Sequence, residues 1–575
     1  MVKMVRRTKL GMGFGESLIS EKRRPREVLG KQDLGESGRG GREMLLAGIF
    51  LGGLVLLLGR AFWLTVVRGA TYRTMSDQNR IREEVIRAPR GMILDRNGIP
   101  LTANVPVFRV EERDKNGELT GYKVIGRDEA LTRDAEGLPL LTDPGRSYPL
   151  GQVSAQLVGY VSEVSQDELK NPGGDCPKNP LLLGDFVGRG GLEQQYDCLL
   201  RGKNGRRIYE TDTTGKVVRV LGEEQPESGQ DLRTSIDARL EQVAYSALGG
   251  KDGAVVAMEA STGAILAMVS SPSFDPNVFS LPSDNGLQAA AILNDPASPL
   301  LNRALGGAYP AGSVFKMTVA SAALSEGKIT PSFTIDDPGI ISAGGLSFSN
   351  WYYSQYGRKE GIVDVVKALA RSTDTFFYEI GALTGPDLMA EWAEKFGLGR
   401  KTGVDVPGEV SGLIPTPVWK MKTKGEDWYL GNTYNMSIGQ GDVLVTPLQV
   451  AQMTQVVADG GVICVPHVYG KASCKPIGIK SGVLDEVIKG MVGACSTGGT
   501  AFPLFDFKPQ VACKTGTAQY GIEGKLTHAW LTAFAPVEKP EIVVTALVEG
   551  GGEGSAVAAP IAKAVLSEWF KDYKD

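Results

Sequence analysis

The chain has 575 residues, too many for one hydrophobic core, so several domains are expected. Its 42% hydrophobic and 22% charged residues exclude wholesale disorder, and a net charge of −4 gives no support to nucleic-acid binding. Only two histidines exist, His467 and His528, so a Ser-His-Asp triad or a His-rich zinc site has almost nothing to draw on.

In chain order, residues 1–43 hold eleven Lys/Arg against six Asp/Glu. MLLAGIFLGGLVLLLG, Met44 to Gly59, is uninterrupted apolar and continues after Arg60 as AFWLTVV to Val67. About 24 residues of this kind span a bilayer. The charge bias predicts a cytoplasmic tail (1–43), a transmembrane anchor (44–67) and export of the rest. A cleaved signal peptide fits worse, because the run is long and no A-x-A follows it. Arg60 lies near the outer end, where it can snorkel or meet a partner helix. Gly48 and Gly52 form a GxxxG spacing that permits close helix packing.

Residues 68–230 are charged and rich in turns such as LDRNG (94–98) and RDKNG (113–117). They predict a pedestal of short strands rather than one large core. From Asp231 the texture changes. GAVVAME (253–259) and AILAMVS (264–270), joined through Ser261, Thr262 and Gly263, read as a hairpin. Near the C-terminus QVACKTGTAQ, HAWLTAFAP and EIVVTALVEG read as three more antiparallel strands, and AAPIAKAVLSEWF as a closing helix. Over two hundred largely helical residues separate the two strand groups. The pattern predicts an α+β domain over 231–575, with one mixed sheet and helices packed on it. KDYKD at the end reads as a solvated tail.

The chemistry-bearing stretch is YPAGSVFKMTVASAAL, where Lys316 follows Ser313 by three residues. Positions i and i+3 share a helix face, and a serine in the first turn has free backbone N–H groups beside it. Burial pushes a lysine toward its neutral form, and a neutral amine can take a hydroxyl's proton. The spacing therefore suits acyl transfer without histidine. A lone S-x-x-K is more often a capping serine with a snorkelling lysine. SEGK (325–328) matches too, but Gly327 stops the helix, so Lys328 falls past its end.

Two companions carry the case. RSTDTFFYEIG places Ser372, Thr373 and Asp374 between two helical patterns, about 59 residues on. Asp374 could equally be only a helix cap. SDN at 283–285 precedes Ser313 in a turn-rich segment and is set aside. KTGT, Lys514 to Thr517, lies inside a strand pattern; there a lysine can bind a carboxylate, and Gly516 lets a peptide backbone approach. KTG at 401–403 follows a Gly-rich helix end. In KSG at 480–482, Ser481 reads as the N-cap of the next helix.

S-x-x-K, S-x-D and K-T-G-T in this order resemble the penicillin-binding protein and serine β-lactamase superfamily. RAPRGMILDRNGIPLTAN (87–104), GRGGLEQQYDCLLRGKNG (188–205), GAVVAMEASTGAILAMVSSPSFDPN (253–277) and NMSIGQGDVLVTPLQVAQ (435–452) resemble class B penicillin-binding proteins. Ser-Thr-Asp and RIREEVIRAPRG are similar to the elongation type rather than the division type. Ala311 is a mild departure, since the family often has proline there.

The resemblance implies a β-lactamase/D,D-peptidase-like domain with an antiparallel five-stranded sheet and helices on both faces. It implies a β-rich, non-catalytic, dimerisation-like pedestal beneath it and a single N-terminal membrane helix. It further implies that Ser313 attacks the D-Ala-D-Ala carbonyl of a peptidoglycan stem, with Lys316 as general base. Ser372 and Asp374 would relay the proton; Lys514, Thr515, Gly516 and Thr517 would hold the substrate; the N–H groups of Ser313 and Thr517 would form the oxyanion hole. Implied partners are stem peptides, β-lactams and a SEDS-family membrane glycosyltransferase, with no cofactor, metal or nucleic acid. The alternatives are a division-type transpeptidase, or a D,D-carboxypeptidase or β-lactam sensor of the same superfamily. A carboxypeptidase would need a carboxylate placed to activate water, and none is evident.

Cys464, His467 and Cys474 form C-x2-H-x6-C, which lacks a fourth metal ligand. Cys464 with Cys474, and Cys176 with Cys198, could instead pair in an oxidising compartment. Cys495 and Cys513 read as buried thiols, and His528 as a strand-packing residue beside the cleft.

Overall fold

The computed structural model describes residues 40–573, except 116–118, 137, 139, 172–175, 177–178, 213–216, 281–285 and 522–525. The N-terminal tail to residue 39, the SDN triplet and the last two residues of the C-terminal tail lie outside the described residues. The chain divides into two compact units, Met1–Arg82 with Asp212–Thr214, and Glu83–Thr211 with Gly215–Asp575.

In the first unit helix α1, Gly40–Phe62, continues through a π-helical turn at Trp63–Val67. Together they give an apolar helix over Gly41–Val67, 27 residues and long enough to cross a membrane. The Arg60 guanidinium lies 4.8 Å from the centre of the Trp63 ring, and Arg68 lies 4.4 Å from it. Arg60 thus has an aromatic partner on its own helix. Gly48 and Gly52 have open space around them. Gly69–Arg80 is helical, whereas short strands were expected from residue 68. GATYRTMSDQNR has no apolar stripe, so its helicity leaves no periodic signature in the sequence.

The second unit begins with small sheets, as the turn-rich sequence predicts. Ala103–Arg113 pairs antiparallel with both Leu119–Ile125 and Leu141–Ser147. Tyr160–Glu163 pairs with Phe186–Arg189, and Gly205–Thr211 with Val217–Glu224. The sheets are too small to share one apolar core. Buried ion pairs do much of the joining: Glu193, fully buried, holds Arg90 at 2.6 Å and Arg146 at 2.7 Å.

The larger part carries the five-stranded sheet. Helix α2, Ala238–Leu248, is capped by the Asp237 carboxylate on the Arg239 and Leu240 N–H groups and stopped by Gly249 at φ 58°. Strands β1, Gly253–Glu259, and β2, Ile265–Ser271, form the expected hairpin. The helical insertion contributes α3, Lys316–Ser325; α4, Val365–Arg371; α5, Asp374–Thr384; α6, Pro447–Ala458; and α7, Val483–Ala494. Strands β3, Ala512–Tyr520, β4, Leu526–Ala535, and β5, Ile542–Val548, follow, and α8, Ala558–Trp569, closes the chain. The sheet order is β2-β1-β5-β4-β3, antiparallel throughout.

Alternation sorts the sheet's two faces. Val255, Ala257, Leu531, Ala533, Val544 and Ala546 pack with Ala244, Leu248, Ile561 and Val565 of α2 and α8. Ala254, Val256, Trp530, Phe534, Val543 and Leu547 pack with the insertion helices. Each fully buried large apolar side chain contributes roughly 1.5–3 kcal/mol of transfer energy. Helices therefore cover both faces, as expected, and β3 is left as an outer strand.

Cys464–Cys474 and Cys176–Cys198 are bonded, as the sequence allowed. The first bond uses both thiols of the C-x2-H-x6-C pattern. Cys495 and Cys513 are also bonded, which corrects their reading as thiols. Cys495 ends α7 and Cys513 sits on β3, and only the tertiary fold brings their Cα atoms to 5.8 Å.

Candidate active site

Ser313 sits in a 3₁₀ turn, Gly312–Phe315, and α3 starts at Lys316. The serine thus lies just ahead of the α-helix rather than inside its first turn. Gly312 has φ 56°, and a Cβ there would come within 3.0 Å of the Ala518 Cβ and 3.3 Å of the Thr517 carbonyl carbon. A side chain at 312 would push the serine turn off β3. Gly516 serves the same contact from the other side: its missing Cβ faces Val314 at 3.2 Å and the Ala311 oxygen at 3.5 Å. The nearest atom to that missing Cβ is the Trp530 Cβ, at 3.0 Å. The glycine admits the nucleophile's own turn.

Ser372 ends α4 in the left-handed region, φ 57°, and α5 begins two residues later at Asp374. The cap position is Thr373, so Asp374 is not simply a helix cap. Its carboxylate is committed elsewhere. Oδ1 lies 2.6 Å from the Lys316 Nζ, and Oδ2 accepts from the Trp351 N–H at 3.0 Å. Lys316 also donates to the Ser372 carbonyl at 2.8 Å and to its hydroxyl at 3.2 Å. From β3, Lys514 donates to the same hydroxyl at 2.9 Å. Ser372 is therefore the shared partner of two fully buried lysines. The S-x-x-K, S-x-D and K-T-G elements, spread over some two hundred residues, meet at one oxygen.

Strand alternation puts Lys514 and Gly516 toward the helices, and Thr515 and Thr517 on the other side. The Thr515 hydroxyl pairs with that of Thr500 at 2.8 Å. The exposed Thr517 accepts from the Gly554 N–H at 3.4 Å. Neither hydroxyl touches the lysine cluster. Both stand at the outer strand, whose far edge has no strand partner among the described residues. His528 is buried; its Nδ1 accepts from the Gly550 N–H at 3.3 Å, its ring stacks on Tyr520, and burial lowers its pKa. It is a packing residue, as expected.

Burial lowers the pKa of both lysines. For Lys316 the Asp374 carboxylate opposes that effect. For Lys514 the positive charge of Lys316 adds to it, and Lys514 is held well below the ordinary lysine range.

Sequence reasoning missed the support behind Asp374. Asn350 accepts from the Asp374 N–H at 3.1 Å and donates to Asp337 at 3.1 Å. Asp337, 1% exposed, also takes the N–H groups of Gly339 and Glu360, both at 2.9 Å, and the Thr375 hydroxyl at 2.7 Å. These hydrogen bonds hold its carboxyl below the usual range against desolvation. Nothing in the local sequence marks DDPG or SNW as partners of a site residue. The Cys495–Cys513 bond, one residue before Lys514, was missed as well. Lys328 falls past the end of Lys316–Ser325, as expected, whereas Gly482 rather than Ser481 caps Val483–Ala494.

The penicillin binding protein transpeptidase domain matches residues 253–567, more than half of the chain. The chain belongs to the penicillin-binding protein transpeptidase family. The penicillin-binding protein dimerisation domain matches 123–234, within the part with small sheets. The peptidoglycan D,D-transpeptidase MrdA of Escherichia coli strain K12 is 33% identical over 88% of this chain and 91% of its own length. The penicillin-binding protein PBP2 of Helicobacter pylori, solved in complex with MreC, superposes with a TM-score of 0.75 at 30% identity, covering 86% of this chain and all of that one. A chain of a peptidoglycan synthase complex superposes with a TM-score of 0.74 at 32% identity, covering 93% and 99%. Within the family the chain is a class B protein of the elongation type, as Ser-Thr-Asp predicted.

Proposed function

We propose that this family member is a peptidoglycan D,D-transpeptidase of cell elongation, working through an acyl-enzyme on Ser313. The observation that carries the residue assignment is the convergence of Lys514 and of Lys316, which follows Ser313 by three residues and is paired with Asp374, on the Ser372 hydroxyl. Lys316 takes the Ser313 proton as the Oγ–carbonyl bond forms. The peptide C–N bond then breaks, and the proton passes through Ser372 to the departing D-Ala amine. A second stem's amine attacks the ester, forms the crosslink and frees Ser313. Lys514, Thr515 and Thr517 hold the donor's terminal carboxylate at the free edge of β3. The Ser313 and Thr517 N–H groups receive the oxyanion. β-Lactams mimic the donor and trap the serine.

The apolar helix at Gly41–Val67 supports a single-pass anchor in the cell membrane, with the basic tail inside and residues 68–575 outside. On this reading residues 68–230 are the pedestal and 231–575 the transpeptidase domain. Partner proteins follow from the chemistry: a transpeptidase needs nascent glycan delivered to it. A SEDS-family membrane glycosyltransferase packing on the Gly48/Gly52 face is the proposed supplier, and an MreC-like protein is a second proposed partner, by likeness to the Helicobacter protein solved in complex with MreC. The deciding experiment is crosslinking of lipid-linked glycan strands by the full chain with a membrane glycosyltransferase. Crosslinked dimers with D-Ala release are expected; D-Ala release without dimers would make the protein a carboxypeptidase, and neither would make it a sensor.

A further inference from the structure

Ser372 ends α4 and Lys514 lies on β3, and the Lys514 ammonium donates to the Ser372 hydroxyl at 2.9 Å. A lysine side chain is long and flexible, so that distance depends on how far the strand stands from the end of the helix. One segment, residues 490–500, is attached to both.

On one side it meets α4. A Cβ at Gly490 would stand 2.5 Å from the Leu369 Cβ, and a Cβ at Gly493 would stand 2.8 Å from the Ala370 Cβ. Ordinary carbon contacts need about 3.5 Å or more, so these two glycines let α7 lie directly against α4. Arg371 then donates from Nη1 to the Gly498 carbonyl at 2.7 Å. Leu369, Ala370 and Arg371 are the three residues immediately before Ser372.

On the other side the segment meets β3. Cys495 is bonded to Cys513, and both are buried. The Thr500 hydroxyl pairs with that of Thr515 at 2.8 Å. Cys513 and Thr515 are the two neighbours of Lys514 in the chain. The turn between these attachments is tight: the Gly499 N–H donates to the Ser496 carbonyl at 2.8 Å, and the Ala501 N–H to the Ala494 carbonyl at 2.9 Å. Val487 and Met491 of α7 pack on the side of the insertion helices, and Ala494 and Cys495 on the side of α2 and α8, so the segment passes round the start of β3.

We propose that residues 490–500 are a brace that sets the distance between Ser372 and Lys514, with Gly490, Gly493 and the Cys495–Cys513 bond as positioning residues for acyl transfer. None of them touches the substrate. They act because close-packed interiors pass on small displacements instead of absorbing them. A shift of α7 against α4 is carried through the sulfur bridge to the strand beside Lys514. The proposal rests on the acyl-enzyme reading and names what holds two of its residues in register.

The test follows acylation of the full chain in detergent by a fluorescent penicillin. The labelled amplitude counts folded protein, whereas the rate constant reads the geometry of the site, so loss of stability and loss of positioning separate. Gly493→Ala sets a methyl group against Ala370. It should lower the rate constant by roughly tenfold or more, since a misplacement of about 1 Å can cost about 10²-fold. Ala370→Gly removes the opposing methyl, and added to Gly493→Ala it should bring the rate constant back toward wild type, although glycine in α4 weakens the helix. A role confined to stability predicts the reverse, a double variant less stable and no faster. A wild-type rate constant in Gly493→Ala, or a loss that Ala370→Gly does not relieve, would overturn the proposal. Should Gly493→Ala not fold, the pair Cys495→Ala with Cys513→Ala decides. Its rate constant should fall by more than about twofold, beyond what a remote change gives, and a wild-type value would overturn the brace. A wild type that takes no label would overturn the acyl-enzyme reading and the proposal with it, whereas a labelled wild type with unaffected variants overturns the brace alone.

Discussion

The cleft and the pedestal both bury cations, and they do so with opposite residues. In the cleft the cations are lysines, whose pKa values burial lowers. In the pedestal they are arginines locked onto carboxylates: burial of Arg90 is outweighed by Glu193 and Asp197, and its pKa is raised. A buried lysine can become neutral and act as a base, whereas a guanidinium keeps its proton. The same fold therefore uses buried charge once as a reactive group and once as a fastener.

Exchanging the residues across that divide should break the comparison most severely in the cleft. Lys316→Arg keeps the positive charge beside Asp374 but removes the base. Acylation by a fluorescent penicillin should fall by roughly 10²–10⁴-fold, the usual worth of general base catalysis. A near-normal rate would make Lys316 a structural residue.

In the pedestal the reverse holds. Arg90→Met leaves Glu193 and Asp197 short of a buried partner and should lower unfolding stability by about 3–5 kcal/mol. The acylation rate of the folded fraction should stay within about twofold of wild type, as expected for a site remote from the change. A variant of normal stability would show that the pedestal pairs are not fasteners.

The comparison also explains what the sequence could disclose. The sheet was legible because its strands are apolar runs bounded by turns, and the site because three short motifs keep their order along the chain. The pedestal's fasteners were not legible: nothing marks Glu193 in GGLEQQ as the partner of both Arg90 and Arg146. Asp337 and Asn350 were invisible for the same reason, since they act on Asp374 from a distant loop. The packing of the serine turn against Gly516 was equally hidden, because a strand glycine looks alike whatever occupies the place of its side chain. Cys495 and Cys513 lie 18 residues apart, and only the packing of α7 against β3 joins them.

A subtler exchange sharpens the cleft's side. Asp374 raises the pKa of Lys316 against burial. Asp374→Asn removes that opposition, so Lys316 should lose its proton at lower pH. The rising limb of the acylation–pH profile should move down by roughly 1–3 units, the usual effect of one close opposite charge. A limb that stays in place or moves up would contradict the coupling.

The smallest effect concerns a buried acid that belongs to neither network. Glu241 on α2 is fully buried; burial pushes its carboxyl up to about 8, and its only hydrogen bond among the described residues is from the Met268 N–H. A raised carboxyl pKa stabilises the fold below its unfolded value, near 4.5, and this is lost as pH climbs to about 8. Glu241→Gln should flatten that decline, so that its thermal midpoint overtakes wild type toward pH 8. Parallel curves for the two proteins would show that Glu241 does not titrate in the folded state.

The most direct measurement of the account is peptide-mapped mass spectrometry of the full chain after penicillin treatment. The penicilloyl adduct should map to Ser313, vanish in Ser313→Ala and persist in Ser325→Ala. An adduct on any other residue, or labelling that survives Ser313→Ala, would contradict the convergence of Lys316, Ser372 and Lys514 as the machinery of acyl transfer.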